Sequence, residues 1–192
     1  LIQRVKKLIV GISAADGVQT GVRLLERLKP LPNVETHLII SRNSDKNLSL
    51  ELDRSREDIY ALADHVYEPE NFAADISSGS FRTDGMIIAP CSMKTLAAIA
   101  RGYSDSLLAR AADVCLKERR RLVLIARETP LSLIHLRNMS DITEAGGVIL
   151  PPILTFYSGA RTLEAQIDCI LGKALMQFDI FLPGYRPWEG TE

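Results

Sequence analysis

Two stretches confine what this chain can fold into. In the first, the apolar run Gly85-Met86-Ile87-Ile88-Ala89-Pro90 passes into a hydroxyl-rich turn, Cys91-Ser92-Met93-Lys94-Thr95, and then into a helical pattern. In the second, residues 122–126 (LVLIA) pass into Arg127-Glu128-Thr129-Pro130 and another helical pattern. A short apolar run without polar alternation reads as a strand buried on both faces. Such strands belong to parallel sheets covered by helices. The polar groups that follow then sit at the carboxyl ends of the strands, where open α/β sheets bind ligands. Helix N-termini at that edge favour anions.

The rest of the chain repeats the alternation. Residues 7–13, 34–41 and 147–150 read as further strands beside those of residues 85–89 and 122–126. Helices are expected over 17–29, ended by Pro30 and Pro32, and over 55–64, 92–100, 104–118, 131–145 and 162–178. One α/β domain over 1–180 is expected, followed by a tail, 181–192, that packs on a neighbouring subunit. The 23 basic and 24 acidic residues nearly cancel. There is no basic stripe to serve nucleic acid or a membrane surface. No apolar run is long enough to span a bilayer and no secretory leader is visible, so a cytoplasmic protein is expected. Cys91, Cys115 and Cys169 are far apart without metal-ligand spacing, so no metal site and reduced, buried thiols are expected.

Several residues stand where chemistry is done. The turn Gly11-Ile12-Ser13-Ala14-Ala15-Asp16-Gly17 offers backbone N–H groups and a helix start to a phosphate or a flavin edge. Asp16 has two readings, an N-cap for the helix that Gly17 opens or a group of the site. Ser92 and Thr95, at i and i+3 of a helix start, either cap that helix or hydrogen-bond a ligand. Ser41 ends the second strand, a place turn residues commonly take. Glu51 is either a solvated carboxylate or a neighbour of the site. Glu128 directly follows Arg127, so a carboxylate can exchange a proton while the guanidinium holds an anion. Cys91 is read as packing.

These motifs, in this order and over nearly the whole chain, resemble the UbiX-type flavin prenyltransferases, particularly those that accompany phenolic-acid decarboxylases. The resemblance implies a flavodoxin-like or Rossmann-like three-layer α/β fold with a mainly parallel sheet. It implies FMN as cofactor and transfer of a dimethylallyl group from dimethylallyl phosphate to reduced FMN, without a metal. The product would pass to a UbiD-type decarboxylase. Flavin contacts are implied for Gly11, Ser13, Ala14, Ser41, Ser92 and Thr95. Arg110 would reach a flavin phosphate across the interface of a homo-oligomer, a dodecamer in the family. Phosphate contacts are implied for Lys117, Arg127, Tyr157 and Lys173, and catalytic roles for Asp16, Glu51, Glu128 and Tyr157.

The chain departs from the family at several of these places. Ala14 replaces a glycine, Leu154 and Thr155 replace the family's Pro-Ala, Lys173 replaces an arginine, and Ser158-Gly159-Ala160 fill a loop that commonly has a proline. The largest departure is Asp16, where the family has a small hydroxyl residue. An ionised carboxylate about 4 Å from a phosphate costs about 4 kcal/mol at an effective dielectric near 20. A second reading is therefore an FMN-binding paralogue without prenyl transfer, acting as a flavin carrier or an assembly subunit. A third, a cysteine-type decarboxylase, lacks its histidine near the flavin and its Met-Asn motif. His37, His65 and His135 read as strand, loop and helix residues.

Overall fold

Each strand feeds two cores, because successive side chains point to opposite faces. In β1 (Lys6–Ile12), Leu8, Val10 and Ile12 face α1 (Val18–Leu28) and α7 (Leu163–Met176), while Ile9 faces the layer of α4 (Met93–Ala100) and α5 (Leu107–Lys117). The strands β2 (Val34–Ile40), β4 (Gly85–Cys91) and β5 (Arg121–Ala126) repeat the division. Leu38, Ile87 and Val123 pack on one side, and Ile39, Met86, Ile88 and Leu124 on the other. The computed structural model describes residues 4–188 and 190.

Every pairing in the sheet is parallel, in the order β3-β2-β1-β4-β5-β6, with β3 (His65–Tyr67) and β6 (Val148–Ile149) at the edges. The three-layer α/β fold expected from the sequence is the one observed. The chain winds outward from β1 to β3, then crosses back and winds outward from β4 to β6. That reversal opens a crevice between the carboxyl ends of β1 and β4, the switch point of a doubly wound sheet. α1 lies close on this line. A methyl group on Gly21 would stand 2.2 Å from the Ala89 carbonyl oxygen, so only glycine lets the helix approach β4.

The elements differ from expectation in places with local causes. β3 has three residues on an edge, too few for a periodic signal, and it takes in His65, which had read as a loop residue. α2 (Asp45–Glu51) was not expected, because its only buried residue is Leu48. α3 (Arg56–Tyr60) stops short of residue 64; Ser55 and Asp58 start it with a reciprocal capping box. β4 runs on to Cys91 through Pro90, with a register shift between Ile88 and Cys91, since proline has no N–H to give the ladder. α6 (Leu133–Glu144) lies inside its expected range.

Part of the tail packs on its own chain. Leu182 is buried in the core of its own chain, Tyr185 packs on Gly172 of α7, and Arg27 holds the Pro183 carbonyl. Only Phe181 and Trp188 remain exposed among its large apolar side chains. Residues 189, 191 and 192 of the expected tail lie outside the described residues.

His37 is buried in β2. Its Nδ1 meets the Tyr67 hydroxyl at 2.8 Å and its Nε2 meets Glu35 at 3.0 Å. The parallel register sets His37 beside His65, whose ring stacks on it at 4.7 Å, and Lys7 stands 3.2 Å from Glu35. This Glu-His-His convergence leaves no spacing motif in the sequence, because folding brings His65 to Glu35 and His37. Burial, with His65 nearby, holds the His37 pKa below its ordinary 6.5. The folded state therefore binds this proton less readily than the unfolded chain. The stabilisation is complete above about pH 6.5 and falls as the pH drops toward the lowered folded value. In thermal melts from about pH 7.5 to about pH 5, wild type is expected to lose more stability than His37→Gln; equal losses would contradict this.

Candidate functional site

The crevice is held by one buried hydroxyl. Ser13, at the end of β1, donates to the Pro90 carbonyl at 2.9 Å and accepts from the Ser92 backbone N–H at 2.8 Å. It is fully buried. Its bonds clamp the first strand-to-helix turn against the second. On the other side, the Ser41 N–H donates to the Ile12 carbonyl at 2.8 Å, and the Ser41 and Ser44 hydroxyls pair at 2.7 Å. These bonds tie the ends of β1, β2 and β4 to one another.

Above them lies a cavity of about 380 Å³ whose lining includes Ala14, Ser41, Asn43, Ser92, Thr95 and Leu108. That volume lies within the range of small-molecule and cofactor sites, about 300–1,000 Å³. Ser92 accepts from the Thr95 N–H at 3.3 Å and its hydroxyl meets the Thr95 hydroxyl at 3.1 Å, so both readings of this pair hold together: it caps α4 and it lines the cavity. At the rim, Arg42 pairs with Glu70 at 3.0 Å and Lys94 with Asp105 at 2.8 Å. A neutral hydroxyl-lined slot with paired charges at its mouth suits a planar polar ring carrying a polar chain.

The turn before α1 does not use Asp16 as a cap, one of its two readings. The N-cap is Gly17, with φ of 92°, a left-handed backbone that favours glycine. The carboxylate on the helix start is Glu51, which accepts from the Gly17 N–H at 2.9 Å and from the Gln19 N–H at 3.5 Å. Glu51, expected as a solvated or catalytic carboxylate, therefore answers the positive end of the α1 dipole, and that end is not open to a phosphate. Asp16 instead pairs with Arg127 at the end of β5. The pair borders a second, mostly apolar pocket of about 160 Å³ lined by Pro90, Ile125, Pro152, Leu154 and Ile167. Glu128 beside it is exposed and accepts from the Thr129 N–H at 3.1 Å.

The flavoprotein family matches residues 2–175 of the chain. A probable UbiX-like flavin prenyltransferase from Sedimentibacter hydroxybenzoicus is 52% identical over 186 residues, covering 97% of this chain and 98% of that protein. The chain belongs to the UbiX-like flavin prenyltransferase family. Among solved structures, AnUbiX in complex with FMN and dimethylallyl pyrophosphate superposes with a TM-score of 0.94 at 49% identity, covering 98% of this chain and all of that one. A dodecameric FMN-dependent UbiX-like decarboxylase from Escherichia coli gives 0.93 at 49% identity, covering 96% of this chain and all of that one.

Of the residues that UbiX-like proteins led us to expect at the flavin, Ala14, Ser41, Ser92 and Thr95 meet at the cavity. Gly11 does not. It lies in the sheet, where a methyl group would stand 3.0 Å from Met86 and 3.3 Å from Leu108. The Ser13 hydroxyl is spent on backbone groups. Arg110 holds the Ser77 carbonyl at 3.1 Å and Asp113 at 2.7 Å, outside the cavity. Of the phosphate set, Arg127 is at the strand ends. Lys117 pairs with Glu118 at the far end of α5, and Lys173 is exposed near the far end of α7. One protomer does not bring these two to Arg127. Cys91 is buried, and burial pushes its thiol pKa up, as packing requires. Sequence reading passed over Ser44 and Gly21. The only signal for Gly21 is a glycine inside a helical pattern, which marks close packing.

If Glu51 caps α1, Glu51→Ala should lower unfolding stability by about 1 kcal/mol, the usual worth of an N-cap side chain. Urea denaturation would measure it, and unchanged stability would contradict the assignment.

Proposed function

We propose that this protein is a flavin prenyltransferase that transfers a dimethylallyl group from dimethylallyl phosphate to reduced FMN, and that the prenylated flavin is delivered to a UbiD-type decarboxylase. The reading rests first on the hydroxyl-lined crevice between β1 and β4, with Arg127 and Glu128 at its side. It is supported by full-length likeness to proteins named for this reaction and to a complex with FMN and dimethylallyl pyrophosphate.

Ser41, Ser92 and Thr95 would hold the flavin ring and its ribityl chain. Reduced FMN, when bound, supplies the nucleophilic ring positions N5 and C6. The chain's own groups act on the phosphate. Arg127 takes the phosphate oxygens and stabilises the charge that grows as the carbon–oxygen bond of dimethylallyl phosphate breaks and inorganic phosphate leaves with the electron pair. Glu128 lies beside it to accept or return a proton. The Tyr157 hydroxyl donates to the phosphate. Arg110, Lys117 and Lys173, which one protomer leaves away from Arg127, would reach the site from neighbouring copies in a homo-oligomer. Exposed Ile134, Phe156 and Phe181 give such an assembly its apolar contacts. No helix among the described residues is long and apolar enough to cross a membrane, in keeping with work in the cytoplasm.

Asp16 gave reason to doubt catalysis, and its pairing with Arg127 weighs against that doubt. The carboxylate does not face an incoming phosphate unbalanced. It occupies the guanidinium that the phosphate needs and must yield it. Both partners are substantially exposed, at 63% and 38%, so the competition is screened and small, below about 1 kcal/mol.

The test is mass spectrometry of the flavin after anaerobic incubation with reduced FMN and dimethylallyl phosphate. A flavin heavier by one dimethylallyl group is expected; unmodified FMN at full occupancy would sink the reading. Asp16→Ser should raise kcat/KM about fivefold, the scale of an exposed ion pair. A slower variant would mean that Asp16 works in the reaction rather than against it.

A further inference from the structure

The segment that carries Tyr157 has almost no structure of its own. Ile153 donates to the Pro151 carbonyl at 2.8 Å, but among the described residues, 154–161 make no backbone–backbone hydrogen bond of ordinary geometry. Gly159 adopts a left-handed φ of 73° and Phe156 is 88% exposed. A stretch like this is free to sample many conformations unless something outside it holds it.

One side chain does. The Gln166 carboxamide, on the second turn of α7, accepts from the Thr155 N–H at 3.0 Å and donates to the Thr155 and Ala160 carbonyls, both at 2.8 Å. A single amide thus satisfies both backbone groups of one residue and a carbonyl five residues on, closing the segment into a loop. The Thr155 and Ser158 hydroxyls pair at 2.7 Å inside it. Gln166 is half-buried and its stem lines the apolar pocket beside Asp16 and Arg127. Amide pairs of this kind match backbone geometry only with an acceptor and donors on one head, which of the common side chains only Asn and Gln supply. Between the Thr155 and Ala160 groups that Gln166 holds, the Tyr157 ring meets the Trp188 ring edge to face, with centroids 5.4 Å apart at 73°.

We propose that Gln166 is the positioning residue for Tyr157, fixing the loop that presents the tyrosine ring. The effect on prenyl transfer rests on the function proposed above; the effect on the loop does not. Gln166 touches neither flavin nor phosphate in this account. It acts by removing the loop's freedom before substrate binds, so its loss should raise KM for the prenyl phosphate and leave FMN affinity unchanged.

Trp188 is the only tryptophan in the chain, which makes the loop observable without catalysis. Protein containing 5-fluorotryptophan gives one fluorine resonance, and Tyr157→Leu marks the resonance position when the ring contact is lost. In Gln166→Leu the resonance is expected to move toward that of Tyr157→Leu, with far-UV circular dichroism unchanged. A resonance that superimposes on wild type overturns the proposal. Gln166→Glu guards against a variant that does not fold. Its carboxylate can accept from the Thr155 N–H but cannot donate to either carbonyl, whereas its protonated form donates to one. As the pH falls, its resonance should return toward the wild-type position. A resonance that moves no more with pH than the wild type's contradicts the clamp. In turnover, Gln166→Leu should raise KM for dimethylallyl phosphate roughly tenfold, the scale of lost positioning contacts. An unchanged KM in a variant whose resonance has moved would overturn the claim that this position of Tyr157 serves the substrate. If wild type itself makes no prenylated flavin, the proposed function fails, while the fluorine spectra still decide the role of Gln166.

Discussion

The Ser13 hydroxyl sits where every part of the crevice meets. It joins the end of β1 to the carbonyl of Pro90 and to the N–H of Ser92, across the gap that the reversal of strand order opens. A parallel sheet has no hydrogen-bonding pattern that continues past its strand ends, and Pro90 supplies no N–H there. Without this hydroxyl the part-buried Ser92 N–H would lose its partner, at about 1–3 kcal/mol, and the Pro90 carbonyl would be left with the Ser13 N–H at 3.2 Å. The start of α4, and with it the Ser92–Thr95 pair that faces the cavity, takes its position from that bond. A hydroxyl expected to touch the ligand instead sets the place of those that do.

Charge at the same edge follows a second constraint. The three carboxylates expected to be catalytic each have a different partner. Glu51 satisfies the backbone at the start of α1, Asp16 pairs with Arg127, and Glu128 remains exposed with a hydrogen bond only to the next residue's N–H. The one available for proton exchange is the one not already bound to a cation or a helix terminus. This division explains how the chain tolerates an acidic residue at position 16. The charge is answered by Arg127 at the end of β5 and exchanged when an anion arrives.

The sheet was legible from the sequence because β1, β2, β4 and β5 are apolar on both faces, and the helices because α1, α5 and α7 keep an apolar stripe. β3 and α2 were not, since each buries too little to leave a pattern. The ordinary preference for Asp before a helix gave Asp16 its cap reading beside its site reading, but the carboxylate on the helix start is Glu51, 34 residues from Gly17 on α2, the helix that was not foreseen. Ser92 and Thr95 were found because their spacing has a local meaning. Gln166 was not, because a glutamine inside a helix gives no sign that it reaches back to a loop. Lys117 and Lys173 were assigned through likeness to relatives, and a single protomer puts them at the far ends of their helices. Motifs within one turn can be read from sequence; groups that meet only through folding or assembly cannot.

The account stands or falls on whether the Ser13 tie prepares the flavin crevice. The direct measurement is the dissociation constant for FMN, from quenching of flavin fluorescence, in wild type and in Ser13→Ala at equal folded fraction. With the hydroxyl gone and the α4 turn released, affinity should fall by about tenfold or more, the scale of one buried hydrogen bond lost from a preorganised site. FMN binding with unchanged affinity in a folded Ser13→Ala protein would show that the crevice does not depend on this bond, and would contradict the account.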